Sequence, residues 1–409
     1  MRQNAPSLQN IDSLASWLMA RGLEGASQKE VLDGYCSHLV DMGVPLMRLH
    51  AAQSAFHPNY GGTGYSWSSD QGISLENYVH TDSPQERWLA SPLYVILTSE
   101  SDELRERLVD SNTPSRFPFL NELRDRGATD YFAMGVLMEK HGGGDWVVDP
   151  NNAPEGVLLS WASNAPDGFR DQDLDLIRQS IPYLGLALKS AANRRMAEDL
   201  LGVYLGRDAG RRVFSGEIRR GSLQQIDAVI WNFDLEGFTT LAERIPGPDM
   251  IAMLNDYFGV VVDVVQQKGG NILKFMGDGL MAMFDVGELH EDAHAALEAV
   301  VLLRERMAEK NEERRAAGLE VAEYTLALHA GEILYGNIGA ASRLDFTVIG
   351  PAVNQTARIS GMHKALGQKL ILSDEVANAA RPCKFDLVSL GRYMLRGVPE
   401  PKELFTLFG

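Results

Sequence analysis

The chain is poor in cysteine, in positive charge and in long apolar runs. Its 409 residues contain two cysteines, Cys36 and Cys383, whose separation indicates neither a disulfide framework nor a metal site. Lys and Arg number 38 against 55 Asp and Glu, a balance that argues against sequence-independent binding of nucleic acid. No apolar run approaches the roughly 20 residues of a membrane span, and the first residues lack the apolar core of a signal peptide. We therefore expect a soluble, cytoplasmic protein with no membrane span and no nucleic-acid partner.

The composition, 45% hydrophobic and 23% charged, is that of a globular chain long enough for two domains. Residues 1–190 alternate strand-like runs with Gly-rich and Pro-rich loops, which predicts an α+β domain. Residues 191–225 are charged and amphipathic, and predict a helical connector. Pro182 should bend or break the helix that precedes the connector. That helix is predicted by apolar residues at intervals of three and four, which are Leu174, Ile177, Ile181, Leu184 and Leu188.

Residues 226–409 predict a second α+β domain, a sheet with helices on its faces. The strand "AVIWNF" ends at Asp234, and "ILKFMGDGLMAMF" predicts a hairpin that carries Lys274 and Asp278. Further along, "FTVIGPAVNQTAR" predicts a strand followed by a helix that carries Asn354 and Arg358.

Asp234 and Asp278 are candidate metal ligands because each follows an apolar strand, so the sheet could bring both carboxylates to one edge. Carboxylate pairs of this kind hold Mg²⁺ beside nucleotide phosphates. Each aspartate also has a structural explanation. Aspartate tolerates left-handed backbone in a Gly-Asp-Gly turn, and an aspartate before a helix can cap it.

Lys274, Asn354 and Arg358 each have a structural and a functional interpretation as well. Strand alternation could simply turn Lys274 to solvent. Asn354 and Arg358 lie four residues apart and share one helix face. An amide and a guanidinium on one face could be solvated, or could clamp a phosphoryl group that gains charge.

Residues 226–409 resemble the catalytic domain of class III nucleotidyl cyclases. The resemblance is carried by five motifs in order: "FDLEGFTTLAE", "GGNILKFMGDGLMAMF", "LALHAGEILYGNIG", "FTVIGPAVNQTARI" and "LRGVPEPKELFTL". It implies a ferredoxin-like fold with an antiparallel-rich sheet and flanking helices. It also implies conversion of ATP to 3',5'-cyclic AMP and pyrophosphate by intramolecular phosphoryl transfer.

The resemblance assigns roles to the candidate residues. Asp234 and Asp278, with the Leu235 carbonyl, would bind two Mg²⁺ or Mn²⁺ ions. Asn354 would orient the ribose, and Arg358 would stabilise charge on the α-phosphoryl group.

Further positions match the triphosphate contacts of the family. The amides of Gly237, Phe238 and Thr239, at a helix start, suit the β- and γ-phosphates. Arg396, in "LRG", is a candidate contact to the triphosphate.

Lys274 and Thr347 match the family's two purine-reading positions. Adenine presents an acceptor at N1 and a donor at N6, which a lysine donor and a threonine acceptor complement. Guanine carries N1–H, so Lys274 would face a donor, and a mismatch of this kind costs about 1 to 3 kcal/mol. ATP is therefore the expected substrate. A guanylyl or dual-specificity cyclase, or a catalytically silent nucleotide-binding module, remains an alternative.

In this family the active site forms between two catalytic domains, with aspartates from one and the other residues from its partner. A chain with one complete set is therefore expected to act as a homodimer. In the first half, "GFRDQDLDLIRQSIPYLGLALKS" is similar to the closing helix of GAF domains. This implies a GAF-like or PAS-like sensor that binds an unknown ligand and regulates the cyclase.

Overall fold

The computed structural model describes residues 8–80, 85–99, 101–109, 113–138, 156–340, 342–383 and 385–408. The chain divides into two compact units, Met1–Leu200 and Leu201–Gly409. Within the described ranges, no helix combines the length and apolar character of a membrane span. The predicted domain boundaries at residues 190 and 225 stay predictions.

The first unit is a six-stranded antiparallel sheet with helices, so its predicted α+β class is confirmed. The strands pair in the order β3-β2-β1-β6-β5-β4. They are β1 Leu46–His57, β2 Tyr60–Ser68, β3 Gly72–Val79, β4 Glu103–Arg107, β5 Asp130–Leu137 and β6 Gly156–Ser163. The helices are α1 Leu8–Glu24, α2 Gln28–Asp41, α3 Glu86–Leu89, α4 Pro92–Thr98, α5 Pro118–Asp125 and α6 Asp171–Leu205, which ends in the second unit.

Helix α6 has the predicted apolar stripe. All five stripe residues are buried, at 0–7% exposure, and pack in one core with α1 and α2. The predicted break is wrong, because α6 continues through Pro182 to Leu205. The packed neighbours on either side of the proline, such as Ile181 and Leu184, offset the backbone hydrogen bond that it removes.

The second unit contains an eight-stranded mixed sheet, which confirms the predicted α+β fold. The strands pair in the order β13-β14-β12-β10-β7-β9-β8, and β11 pairs with β10. Among the described strands of this sheet, β10 and β12 form the one parallel pair. They are β7 Leu223–Glu236, β8 Asn271–Met276, β9 Gly279–Phe284, β10 Glu323–Ala340, β11 Arg343–Ile349, β12 Leu370–Ser373, β13 Leu387–Tyr393 and β14 Lys402–Leu407. The helices are α7 Arg207–Phe214, α8 Phe238–Ala242, α9 Gly247–Gln267, α10 Leu289–Ala316, α11 Pro351–Ser360, α12 His363–Leu366 and α13 Asp374–Ala379.

The two faces of this sheet have different roles. On one face, alternate β7 residues such as Trp231 and Phe233 pack in a core with α9 and α10. On the other, Ala228 and Ile230 pack with Ala352 of α11. Because strand side chains alternate between faces, Asp234 lies on the face that α11 covers, and we call this the α11 face.

Candidate active site

The end of β7 and the β8–β9 turn bring Asp234 and Asp278 together. Asp234 lies opposite Gly279 in the β7–β9 register. The Leu235 N–H donates to the Asp278 carbonyl oxygen over 3.1 Å. A Cβ atom at Gly279 would lie 2.7 Å from Asp234 Oδ1, so only glycine leaves this side of the carboxylate clear. The predicted convergence of two carboxylates at one sheet edge is therefore present.

The structure removes the simpler explanations for both aspartates. Gly277, not Asp278, takes the positive φ of the turn, 67°, and glycines alone have such angles among the described residues. Glycine first in a two-residue loop is typical of a type II′ turn, which does not need aspartate second. The N-cap of α8 is Gly237, and no side chain caps that helix, so Asp234 does not serve as its cap.

The electrostatics at this edge favour a bound cation. Burial, and then the nearby charge of Asp278, raises the pKa of Asp234 above its ordinary value. In the described part of the chain, no hydrogen bond or ion pair satisfies either carboxylate. Two carboxylates without a protein cation fit divalent Mg²⁺ or Mn²⁺. No group of three or more metal-ligating acids, histidines or cysteines occurs in that part. Mg²⁺ commonly uses one or two carboxylates and takes its other ligands from water and phosphate.

Lys274 reaches the α11 face through a β-bulge. The register pairs Ile272 with Ala282 but Lys274 with Met281, so the strand shifts between them. Ile272 packs toward the α9 and α10 core, whereas Met281 packs on the opposite face. Because of the bulge, Lys274 lies on the α11 face. Regular alternation from Ile272 would have placed it on the opposite face.

An acidic residue that the sequence interpretation missed binds Lys274. Lys274 Nζ donates to Asp345 Oδ2 over 3.2 Å, with the side chains 54% and 57% exposed. Asp345 precedes Thr347 by two residues on β11, so both point to the same face of the strand. Phe346 between them is buried. The two-residue spacing could have identified Asp345 from the sequence, because Thr347 was already assigned to the purine.

Helix α11 presents Asn354 and Arg358 while its other face packs inward. Asn354 is exposed and Arg358 half-buried. Arg358 Nη1 makes a long hydrogen bond of 3.4 Å to the carbonyl oxygen of Gly397. Gly397 has a φ of 71° and follows Arg396, whose side chain is exposed. Arg358 and the turn that carries Arg396 are thus neighbours.

The predicted phosphate-binding amides lie at the start of a short helix. Gly237, with a φ of 73°, precedes α8, which has five residues. The Phe238 side chain packs against the core of α9 and α10. Nothing is described of the Thr239 side chain. The first amides of a helix have no intrahelical acceptor and are available to a ligand.

Within one chain the candidate residues form two groups. The carboxylate group comprises Asp234 and Asp278. The second group comprises Lys274 and Asp345, which pair with each other, and three further predicted residues on β11 and α11: Thr347, Asn354 and Arg358. Among the described residues, no hydrogen bond or ion pair joins the two groups.

Comparison with known proteins identifies the second unit. Residues 222–409 match the family model for the adenylate and guanylate cyclase catalytic domain. The ordered motifs and this match identify residues 222–409 as a class III nucleotide cyclase catalytic domain. The GAF-like character of the first unit stays a prediction.

Several relatives match part of the chain. An adenylate cyclase of Anabaena cylindrica is 33% identical over 159 residues, covering 38% of this chain and 31% of that protein. An uncharacterised protein of Mycobacterium tuberculosis is 32% identical over 213 residues, covering 52% of this chain and 37% of that protein. The chain thus spans less than two fifths of either relative.

Among solved structures, an adenylyl cyclase from P. aeruginosa is 24% identical, with a TM-score of 0.43. The alignment covers 46% of this chain and 96% of that one. At this score the likeness carries no weight in the assignment.

Proposed function

We propose that the protein is an adenylyl cyclase that converts ATP to 3',5'-cyclic AMP and pyrophosphate. The observation that carries this proposal is the convergence of Asp234 and Asp278 at one sheet edge without a protein cation. The similarity to the adenylate cyclase of Anabaena cylindrica supports the choice of product.

In the proposed reaction, the ribose 3'-oxygen forms a bond to the α-phosphorus. The bond from that phosphorus to the oxygen bridging to the β-phosphate breaks. Its electron pair leaves with pyrophosphate, and the 3'-hydroxyl proton passes to water. Asp234, Asp278 and the Leu235 carbonyl would hold two Mg²⁺ or Mn²⁺ ions. When bound, such ions supply Lewis acidity and neutralise phosphate charge.

Helix α11 supplies the groups that face the reacting phosphate. The Gly397 carbonyl restrains one N–H group of Arg358, which leaves other guanidinium donors for phosphoryl oxygens as their charge increases. The exposed amide of Asn354, one helical turn earlier, orients the ribose. Arg396 and the amides of residues 237–239 bind the β- and γ-phosphates.

Lys274, Thr347 and Asp345 form the proposed purine site. Lys274 donates to adenine N1, and Thr347 accepts from the N6 amino group. Asp345 accepts one of the three ammonium protons of Lys274 and restrains its direction. An ion pair this exposed contributes little in the free chain. Its contribution grows where the purine and a second chain exclude water.

The proposed enzyme is a homodimer with two equivalent sites. Among the described residues, no hydrogen bond or ion pair joins the two groups, and this supports a site that two copies complete. Exposed apolar side chains near the hairpin also suit burial by a second copy. They are Phe275 and Met276, which are 52% and 41% exposed. The first unit would act as the sensor that regulates turnover.

The direct test is incubation of purified protein with ATP or GTP, each with Mg²⁺ or Mn²⁺, and quantification of both cyclic products. We expect more cyclic AMP than cyclic GMP. Excess cyclic GMP would support the guanylyl alternative. No product from ATP with either metal would contradict the proposal and leave a silent nucleotide-binding module.

A further inference from the structure

The first unit contains a cavity of about 360 Å³, lined by residues of α2, β1, β2 and α6. This volume lies within the range of small-ligand sites, about 300–1,000 Å³. Two polar side chains of the lining, Gln28 and Thr63, are only 6% and 5% exposed. The cavity therefore presents fixed polar groups to anything that enters it.

A chain of hydrogen bonds fixes one end of the cavity. Arg195 Nη1 donates to the Tyr65 hydroxyl over 2.7 Å, and that hydroxyl donates to Gln28 Oε1 over 3.2 Å. Gln28 Nε2 donates to Gln53 Oε1 over 2.7 Å. The Gln53 amide nitrogen contacts only Met138 Sδ, at 3.8 Å, among the described residues. Thioether sulfur is a weak acceptor, so this end has hydrogen-bond donors to spare.

Asp199, which lies beside Arg195 in the lining, has a free hydrogen-bond acceptor. Asp199 Oδ2 accepts from the Tyr60 hydroxyl over 3.2 Å and lies 3.5 Å from Arg195 Nε. Asp199 Oδ1 has no hydrogen-bond partner in the described ranges. A closed charge-assisted hydrogen bond measures about 2.7–2.9 Å, so the Arg195–Asp199 pair is open. Each charge can therefore bind a ligand group with little loss of interaction energy between Arg195 and Asp199.

We propose that this cavity binds a small zwitterion of the size of a free amino acid. The ligand carboxylate binds Arg195 and the Gln53 amide, and the ligand ammonium binds Asp199. A purely anionic ligand would face the Asp199 carboxylate, and a purely cationic ligand would face Arg195. A neutral sugar would desolvate both charges without replacing their interactions. Only a ligand with both charges satisfies both Arg195 and Asp199.

The position of the cavity gives the ligand a regulatory role. One wall is formed by five residues of α6, and this helix continues to Leu205. They are Ala192, Asn193, Arg195, Met196 and Asp199. The same helix therefore runs from the cavity to the first residues of the second unit. An occupant that ties Arg195 and Asp199 to α2 and β1 changes the freedom of that helix.

The test is thermal denaturation and titration calorimetry of the full chain with each common free L-amino acid. We expect at least one to raise the melting temperature saturably. N-acetylation or carboxamidation of that amino acid removes one charge and should weaken binding about tenfold or more, the typical effect of losing a hydrogen bond to a charged group. Arg195→Gln and Asp199→Asn should do the same.

Glu198→Gln is the matched control. Glu198 also pairs with an arginine one turn away on α6, Arg194, but both side chains are about half exposed and lie outside the cavity lining. This variant should bind like the parent. Unchanged melting without ligand establishes that each variant folds. If Arg195→Gln does not fold, the Asp199→Asn variant and the two blocked derivatives still test the proposal.

Three outcomes would overturn the proposal. They are absence of binding by every amino acid, equal binding of the blocked derivatives, and retention of binding in the folded Arg195→Gln or Asp199→Asn variant. Binding is measured without nucleotide, so its failure is separate from failure of the cyclase assay.

Discussion

The Lys274 ammonium lies 3.2 Å from the carboxylate of Asp345, and Asp345 shares strand β11 with Thr347. The acceptor beside the proposed purine-reading lysine is therefore a carboxylate that the sequence motifs did not single out. The Asp345 carboxylate accepts from Lys274 in the absence of nucleotide.

Asp345→Asn should lower kcat/KM for ATP about tenfold and reduce the preference for ATP over GTP, because Lys274 loses its charged acceptor. Asp345→Glu should restore part of both. Glu309→Gln is the matched control, since Arg306 and Glu309 pair at 3.1 Å with 55% and 60% exposure on α10. Steady-state kinetics with both nucleotides measures the effect. Equal losses in the Asp345→Asn and Glu309→Gln variants would contradict a role in the purine site.

Asp234→Asn should stabilise the metal-free protein at neutral pH and abolish its stabilisation by Mg²⁺. Burial and the Asp278 charge raise the pKa of Asp234, so ionisation at neutral pH costs folding stability. We expect a higher melting temperature than that of the parent without metal. Asp263→Asn, an exposed change on α9, should alter neither quantity. Retained Mg²⁺ stabilisation in Asp234→Asn would argue against the metal site.

Gly397→Ala should lower kcat. Gly397 has a φ of 71°, which alanine adopts at a cost of about 1–2 kcal/mol, and its carbonyl accepts from Arg358. Gly318→Ala introduces the same kind of strain at a φ of 70°, with no atom within 4 Å of the added Cβ. Both variants should lose stability, but only the first should lose turnover at saturating ATP. Similar turnover in the two variants would contradict a role of the Gly397 contact in turnover.

Asp292 gives the stability of the protein a pH dependence. Its side chain is buried, and Oδ1 accepts from the amides of Val286 and Gly287. Burial raises the pKa of Asp292 to about 6. A raised carboxyl pKa favours the protonated folded state, so the contribution is complete below the ordinary value near 3.8 and is lost as pH rises through about 6.

Melting temperatures of the parent and of Asp292→Asn should therefore diverge between pH 4 and 7, the parent falling more as pH rises. The difference between the two proteins isolates this group from the other titrating residues. Parallel curves would contradict the assignment.

The sequence predicted the local features of the site. Asp234 follows an apolar strand, and Asp278 lies in a turn next to glycines that the hairpin requires. Both are patterns of a few neighbouring residues. The family resemblance added the order of the motifs that contain Asn354 and Arg358.

Long-range relationships could not be predicted in the same way. The bulge that redirects Lys274 depends on the pairing of β8 with β9, and the contact with Asp345 joins residues 71 positions apart. Helix α6 shows the same limit, because tertiary packing outweighs the local preference of Pro182 to end a helix.

The central claim is that two copies share each active site, and mixing two inactive variants tests it most directly. Asp234→Ala removes a carboxylate from one half-site, and Arg358→Ala removes the guanidinium from the other. Each variant alone should be inactive. After exchange of subunits, half of the dimers are mixed, and each mixed dimer has one intact site of two. Cyclic AMP production should therefore recover to about a quarter of the parent rate. No recovery from two folded, exchanging variants, or full activity in either one alone, would contradict the account.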